Sequence, residues 1–250
     1  MRHFAIIVGS GALELDLELA PVDGSIETDY GPASTRPLSV QSASAKIHVL
    51  ARHGVPHTIA PHAINYRANL SLLAELGATD IVAINTVGGI AAHASNGSLV
   101  LPDQIIDYSW GREHTYSDDS RLLHVDFSDP YDERLRGELL AAAATANIDV
   151  RDGGVYAASQ GPRFESAAEI ERMRRDGCTL VGMTGMPEAG LARELGLAYA
   201  SICVVVNPAA GRGVAIDLDA ISSIARGGMS QVSVLLGSFL QFLEGLEAGD

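Results

Sequence analysis

The sequence predicts an α/β fold, read as one domain over residues 1–250 in which a central mixed β-sheet is flanked by helices. Three observations lead there. Short apolar runs alternate with amphipathic segments along the chain. Helical segments close on glycine before the next apolar run, as at Gly77, Gly177 and Gly196, the punctuation of βα units. The composition, 47% hydrophobic over 250 residues, is enough to bury a sizeable core.

In chain order, the runs at 4–9, 46–51, 79–89, 99–108, 153–159, 178–183 and 197–207 read as strands because they are short, apolar and rich in branched residues. Helices are expected over 65–77, 132–147, 166–177, 187–196 and the C-terminal 218–247, where apolar residues recur at helical spacing. The polar stretch Ser117 to Asp132 reads as a surface loop, and no repeat or linker divides the chain.

Charge and composition exclude several classes. A formal charge of -14 disfavours nucleic acid and anionic membranes as partners, so an anionic substrate must be held by local cations and amides. No run is long enough to span a bilayer, and the N-terminal segment is no signal peptide. Two cysteines, Cys178 and Cys203, stand at no metal-ligand spacing, which makes a reducing, cytoplasmic setting the expectation. His53, His57 and His62 lie close together, but no carboxylate cluster completes a metal site, so no metal is expected.

In such sheets ligands gather at the carboxyl ends of strands. Several expected strands here end on glycine or polar groups, which points to one site built from distant loops. Gly9-Ser10-Gly11 can aim amides and the Ser10 hydroxyl at an anion, or simply turn the chain. It is neither a Walker loop nor GxGxxG, since Glu14 takes the third glycine's place. Arg52-His53-Gly54 places a guanidinium at a strand end, either as an oxyanion clamp or in a surface ion pair. Asn85-Thr86 and Met183-Thr184 add hydroxyl and amide donors at two more ends. No GxSxG elbow is present, so covalent catalysis has no support. The run CVVVNPAAG ends a buried strand on Asn207, whose amide offers both a donor and an acceptor.

The segments ARHG, HTIAPHAINYRANL, NTVGG, GPRFE and GMTGMPEAGLARELGLAYASICVVVN follow one another in order, and the resemblance they carry spans almost the whole chain. Together they resemble the trimeric purine nucleoside phosphorylases, most closely the branch that cleaves methylthio-nucleosides. The resemblance implies a purine nucleoside phosphorylase-like fold, a homotrimer, inorganic phosphate as co-substrate and no cofactor. It also implies phosphorolysis of a purine N-glycosidic bond.

Carried over by residue, it implies phosphate contacts from Ser10, Arg52, His53, Asn85, Thr86 and Thr184. Met183 is implied against the ribose, Phe164 beside the base, and Asn207, flanked by Pro208 and Ala209, at purine N7 and the C6 substituent. Arg52 and Asn207 are the implied catalytic pair, one for the phosphate and one for the departing base. The methylthioadenosine enzymes of this family carry aspartate where this chain has Asn207, and a second aspartate where it has Ala209.

An asparagine there can accept from N7–H and donate to a 6-keto oxygen, and Glu165 can accept from the N1–H of hypoxanthine. The alternative is a solvated Glu165 and a structural Asn207. At the sugar end, Leu218 and Ile221 stand where inosine-cleaving relatives use a histidine, an apolar wall suited to a methylthio group. The implied substrate is therefore 5′-methylthioinosine. A broader phosphorylase also using methylthioadenosine, inosine or guanosine is the alternative, and a non-catalytic nucleotide sensor is the reading from another class.

Overall fold

The structure, a computed structural model, describes residues 2–9, 18–41, 45–213 and 217–247. In chain order its elements are β1 (Arg2–Val8), β2 (Ala20–Pro21), β3 (Glu27–Thr28), β4 (Gly31–Pro32), β5 (Leu38–Gln41), β6 (Ala45–Ala51), α1 (Tyr66–Glu75), β7 (Asp80–Gly89), β8 (Leu99–Leu101) and β9 (Gln104–Asp107). They continue as α2 (Glu133–Thr145), β10 (Val150–Asp152), β11 (Val155–Ala158), α3 (Ala167–Arg175), β12 (Leu180–Gly182), α4 (Gly185–Glu194), β13 (Ala198–Pro208) and α5 (Leu218–Glu247).

The central sheet runs in the order β10-β8-β13-β7-β1-β6-β5-β2, with β12 joining β7 and then β11 and β9. Its middle is parallel: β1 pairs with β6 and β7, and β7 with β13. The partners β5, β8 and β12 run antiparallel to their neighbours β6, β13 and β7, which makes the sheet mixed.

Both faces of the middle strands are buried, because their residues alternate between two apolar layers. Phe4, Ile6 and Val8 of β1 face a layer that includes Leu135 and Leu139 of α2 and Leu235 and Phe239 of α5. Ala5 and Ile7 face Leu70 and Leu73 of α1 and Leu191 and Ala192 of α4. Phe4 and Phe239 meet edge to face at 5.4 Å between ring centroids, joining the first strand to the last helix.

Three helices begin where the expected segments begin, because those segments open on capping residues. The side chains of Asn65, Asp132 and Ser166 accept from the amides of Ala68, Leu135 and Glu169, and Ser166 forms a full capping box with Glu169. In α4 the helical conformation is interrupted at Met186, so regular helix starts at Pro187 as expected.

The expected strand 99–108 is two strands. Pro102 lacks an N–H to continue the ladder, and the halves part company, β8 to β10 and β13 and β9 to β11. The short strands β2 to β5 and β10 have no counterpart among the expected elements. Residues 117–132 form no helix or strand, as expected of a loop, but Tyr131 at its end turns inward and stacks on Tyr199 with 6.0 Å between centroids. Among the described residues no helix is long and apolar enough to cross a membrane.

Two local features shape the site. Gly88 and Gly89 end β7 where β12 and β13 close in. A Cβ on Gly89 would collide with the carbonyl oxygen of Ala94, so only glycine lets the chain return so closely. On the neighbouring strand, the β13–β7 register shifts between Val205 and Asn207. The extra residue, Val206, is a bulge that breaks the alternation just before Asn207 and re-aims the end of the strand.

Candidate active site

Arg52 leaves the end of β6 and is wholly buried. Its Nε and Nη2 donate to the two carboxylate oxygens of Glu188 at 2.7 and 2.9 Å, a bidentate fork on an equally buried partner. Burial by itself disfavours the guanidinium charge, but the Glu188 carboxylate outweighs it and holds the Arg52 pKa above its ordinary value. The remaining edge, Nη1, donates to Asn85 Oδ1 at 2.9 Å and Thr184 Oγ1 at 3.1 Å. Thr184 in turn donates to Asn85 Oδ1, and Asn85 Nδ2 donates to Ser201 Oγ at 2.7 Å. Tyr199 donates its hydroxyl to Glu188 Oε1 at 2.8 Å. Arg52 is thus neither a surface ion pair nor a bare cation. It is the centre of a closed polar network that ties the ends of β6 and β7 to α4 and β13.

This network forms one end of a cavity of about 620 Å³, whose wall includes Gly9, Arg52, His53, Thr86 and Thr184. Asn85 stands behind that wall rather than on it. Thr86 keeps its hydroxyl clear of hydrogen bonds among the described residues. Gly9 is pressed against Arg52, since a Cβ there would come within 3.0 Å of Nη1 and 2.8 Å of the Ile84 carbonyl. Ser10 lies outside the described residues. His53 is 6% exposed, and its Nδ1 lies 2.8 Å from the carbonyl of Ile59, which can only accept. Burial pushes its pKa down to about 4, with the nearby Arg52 and His57 charges acting the same way and the Ile59 bond opposing. The ring is therefore neutral at pH 7, with Nδ1 protonated and Nε2 an acceptor. The His57 ring stacks on it at 4.2 Å.

The same cavity is also lined by Phe164, Glu165, Met183, Asn207 and Ala209. Asn207 donates one Nδ2 proton to the Pro208 carbonyl at 2.7 Å, which identifies the nitrogen end of the amide. One N–H and the whole carbonyl oxygen remain available. Pro208 itself is not on the wall; it supplies that anchoring carbonyl. Glu165 accepts from Ser159 Oγ through one oxygen, leaving the other. Ile221 reaches the cavity from α5, whereas Leu218 is 65% exposed and does not.

Two residues central to this geometry escape a reading of the sequence. Glu188 sits inside what reads as an ordinary amphipathic helix start; the available signal is an acid two residues inside a helix directly after a strand-end site. Arg112 comes from the polar loop after β9. It is 8% exposed, and its guanidinium donates to the carbonyls of Met183, Met186, Ser159 and Gln160, so one side chain ties together the loops after β11 and β12. Among the described residues no group of three His, Cys, Asp or Glu side chains could hold a metal ion.

The arrangement is one cavity lined by the Arg52 network and by an amide and a carboxylate, Asn207 and Glu165, that keep hydrogen-bonding capacity among the described residues. The chain belongs to the Phosphorylase superfamily, whose family model it matches over residues 3–236. It is 45% identical over 243 residues, 96% of this chain and 99% of the other, to a protein of Pseudomonas syringae pv. tomato named probable S-methyl-5′-thioinosine phosphorylase. It is 39% identical, over 84% of this chain and 81% of the other, to a 6-oxopurine nucleoside phosphorylase of Pyrococcus furiosus. Methylthioadenosine phosphorylase of Schistosoma mansoni, solved with adenine, superposes with a TM-score of 0.87 at 29% identity, covering 99% of this chain and 97% of that one.

The electrostatics of the site can be tested through stability. Glu188→Gln and Arg52→Ala each leave a buried charge unmet and should cost about 3–5 kcal/mol in urea unfolding. The double variant Arg52→Met/Glu188→Leu should cost clearly less than the sum of the two. Additive losses would show that the pair is not coupled. His53 binds its proton in the unfolded chain near its ordinary 6.5 but in the folded protein only near 4, so stability should fall as pH drops through that window. Its contribution to the slope is at most about 1.4 kcal/mol per pH unit. His53→Gln should flatten the pH dependence measured by chemical denaturation between these values, and an unchanged slope would refute the assignment.

Proposed function

We infer that this chain catalyses phosphorolysis of S-methyl-5′-thioinosine, yielding hypoxanthine and 5-methylthioribose 1-phosphate, with inorganic phosphate as co-substrate and no cofactor. The observation that carries this reading is that Asn207 and Glu165 line the same cavity as Arg52 and apolar Ile221. In the reaction a phosphate oxygen bonds to C1′ as the C1′–N9 bond breaks. The bonding pair leaves with the purine, which gains a proton at N7, and the phosphate gives up its one O–H proton to solvent as it becomes the ester, so the exchange balances. The free Asn207 carbonyl accepts from that N7–H and its remaining N–H donates to the 6-keto oxygen. The free oxygen of Glu165 accepts from N1–H. The free Thr86 hydroxyl supplies a donor to the phosphate, while that of Thr184 is spent on Asn85, and neutral His53 can accept the single O–H of the dianion. Holding nucleophile and sugar together accounts for part of the acceleration, and stabilising the departing base for the rest. The relatives named for thioinosine phosphorolysis support the same substrate.

A broader enzyme that also takes inosine is favoured by one observation, the 39% identity to a 6-oxopurine nucleoside phosphorylase. Phosphate-dependent base release from methylthioinosine, methylthioadenosine and inosine separates the readings. Methylthioinosine should lead, and absence of phosphate-dependent release from all three would leave a sensor domain instead. Within that assay, Asn207→Asp combined with Glu165→Ser should swing the kcat/KM ratio from methylthioinosine toward methylthioadenosine by roughly 10²–10⁴-fold. The two residues share one base edge, so the single variants should not add. A ratio unmoved in the double variant would show that neither residue reads the base.

The same reading takes residues 1–250 as one cytoplasmic phosphorylase domain that assembles as a homotrimer. Apolar side chains left open near the cavity support assembly: Val55 is 80% exposed, Trp110 72% and Phe164 41%. The segment around His57 and residues 60–66 would take part. Sedimentation at micromolar concentration should give three copies, and a monomer would overturn the trimer without touching the chemistry.

A further inference from the structure

The phosphate end of this cavity is poor in free positive charge. Arg52 is matched one to one by Glu188, both without exposure. His53 is neutral, and Glu165, also on the lining, adds a negative charge. A phosphate dianion must nonetheless approach a chain of formal charge -14. Lysine is absent from the described wall, and its only other arginine is Arg226.

Arg226 projects from α5, one turn after Ser222 and next to Ala225, all three on the cavity wall. Ala225 is buried against the sheet, which fixes the helix, while Arg226 is exposed, which puts its guanidinium at the mouth. Among the described residues it makes no ion pair and no side-chain hydrogen bond. The acids near the start of the helix, Asp217 and Asp219, do not pair with it.

We propose that Arg226 is the phosphate-capturing residue of this site: an unneutralised cation at the entrance that draws the dianion in and hands it to the pre-formed donors inside. A charge in this position acts through the solvent-facing field, so it should govern phosphate encounter and KM more than turnover. The inference rests on the phosphorolytic reading of the cavity, and assigns the one arginine of the described wall without an acidic partner a task within it.

The test compares wild type, Arg226→Lys, Arg226→Ala and Arg226→Glu, all expected to fold because the side chain is exposed. At low ionic strength, kcat/KM for inorganic phosphate should fall roughly tenfold or more in Arg226→Glu, less in Arg226→Ala and little in Arg226→Lys. The KM for phosphate should carry most of the change, and the KM for the nucleoside little. Raising salt to about 0.5 M should close most of the gap, since screening then acts within a few ångströms. Calorimetric titration of inorganic phosphate into nucleoside-free protein reads the same ranking without depending on which nucleoside is cleaved. If wild type binds phosphate with that ranking but releases no base, the functional reading fails while phosphate capture by Arg226 stands. Phosphate affinity and salt dependence equal in wild type and Arg226→Glu would overturn the proposal, as would a loss confined to nucleoside KM.

Discussion

A guanidinium with no access to water must have its charge met by protein alone, and in this chain Glu188 meets that of Arg52. The requirement propagates. Glu188 must sit at the start of α4, Tyr199 must bring its hydroxyl from β13, and Asn85 must span from Arg52 to Ser201. Each of these residues is nearly or wholly buried, so none can trade its partner for solvent. The ends of β6, β7 and β13 are thereby held in fixed relation to α4, and the polar end of the cavity is built before any ligand arrives. Such pre-formed donors need no reorganisation when an anion binds.

The base end is organised by different means. Among the described residues no buried ion pair fixes it. Instead the bulge at Val206 and the Pro208 carbonyl together set the direction and the flip of one amide. Arg112, whose guanidinium spans carbonyls from two loops, keeps the segments after β11 and β12 together. On the proposed reading, recognition of the base is carried by neutral hydrogen-bonding groups and one carboxylate, and anion handling by the Arg52 end.

Much of this was legible in the sequence because it depends on local patterns. The middle strands announce themselves as apolar runs, and three helices start on Asn65, Asp132 and Ser166 because those side chains cap them. The recurrence of polar strand ends located Arg52, Thr86, Thr184 and Asn207 on or beside one cavity. What escaped depends on contacts between distant residues. Glu188 looks like any helical acid until Arg52, 136 residues away, is seen against it. Arg112 sits in a loop whose composition says only that it is polar. Strands of two residues, such as β2 and β3, are too short to show alternation, and only their partners define them. The exposure of Leu218 against the inward placement of Ile221 depends on which face of α5 packs on the sheet, something the helical period leaves undetermined near a helix end.

The bulge has a consequence for how such a protein can evolve. Because Val206 absorbs the irregularity, the residue after it stands outside the alternating layers that hold β13 between its neighbours. A new side chain at position 207 alters hydrogen-bonding capacity without changing core volume or strand register. Asparagine and aspartate differ by one nucleotide in their codons and are nearly the same size. If Asn207 reads the base as proposed, base preference is exposed to drift in small genetic steps, while the Arg52 end, locked into a network of mutually dependent buried groups, is not. A lineage built on this frame can explore new purines while its phosphate chemistry stays the same.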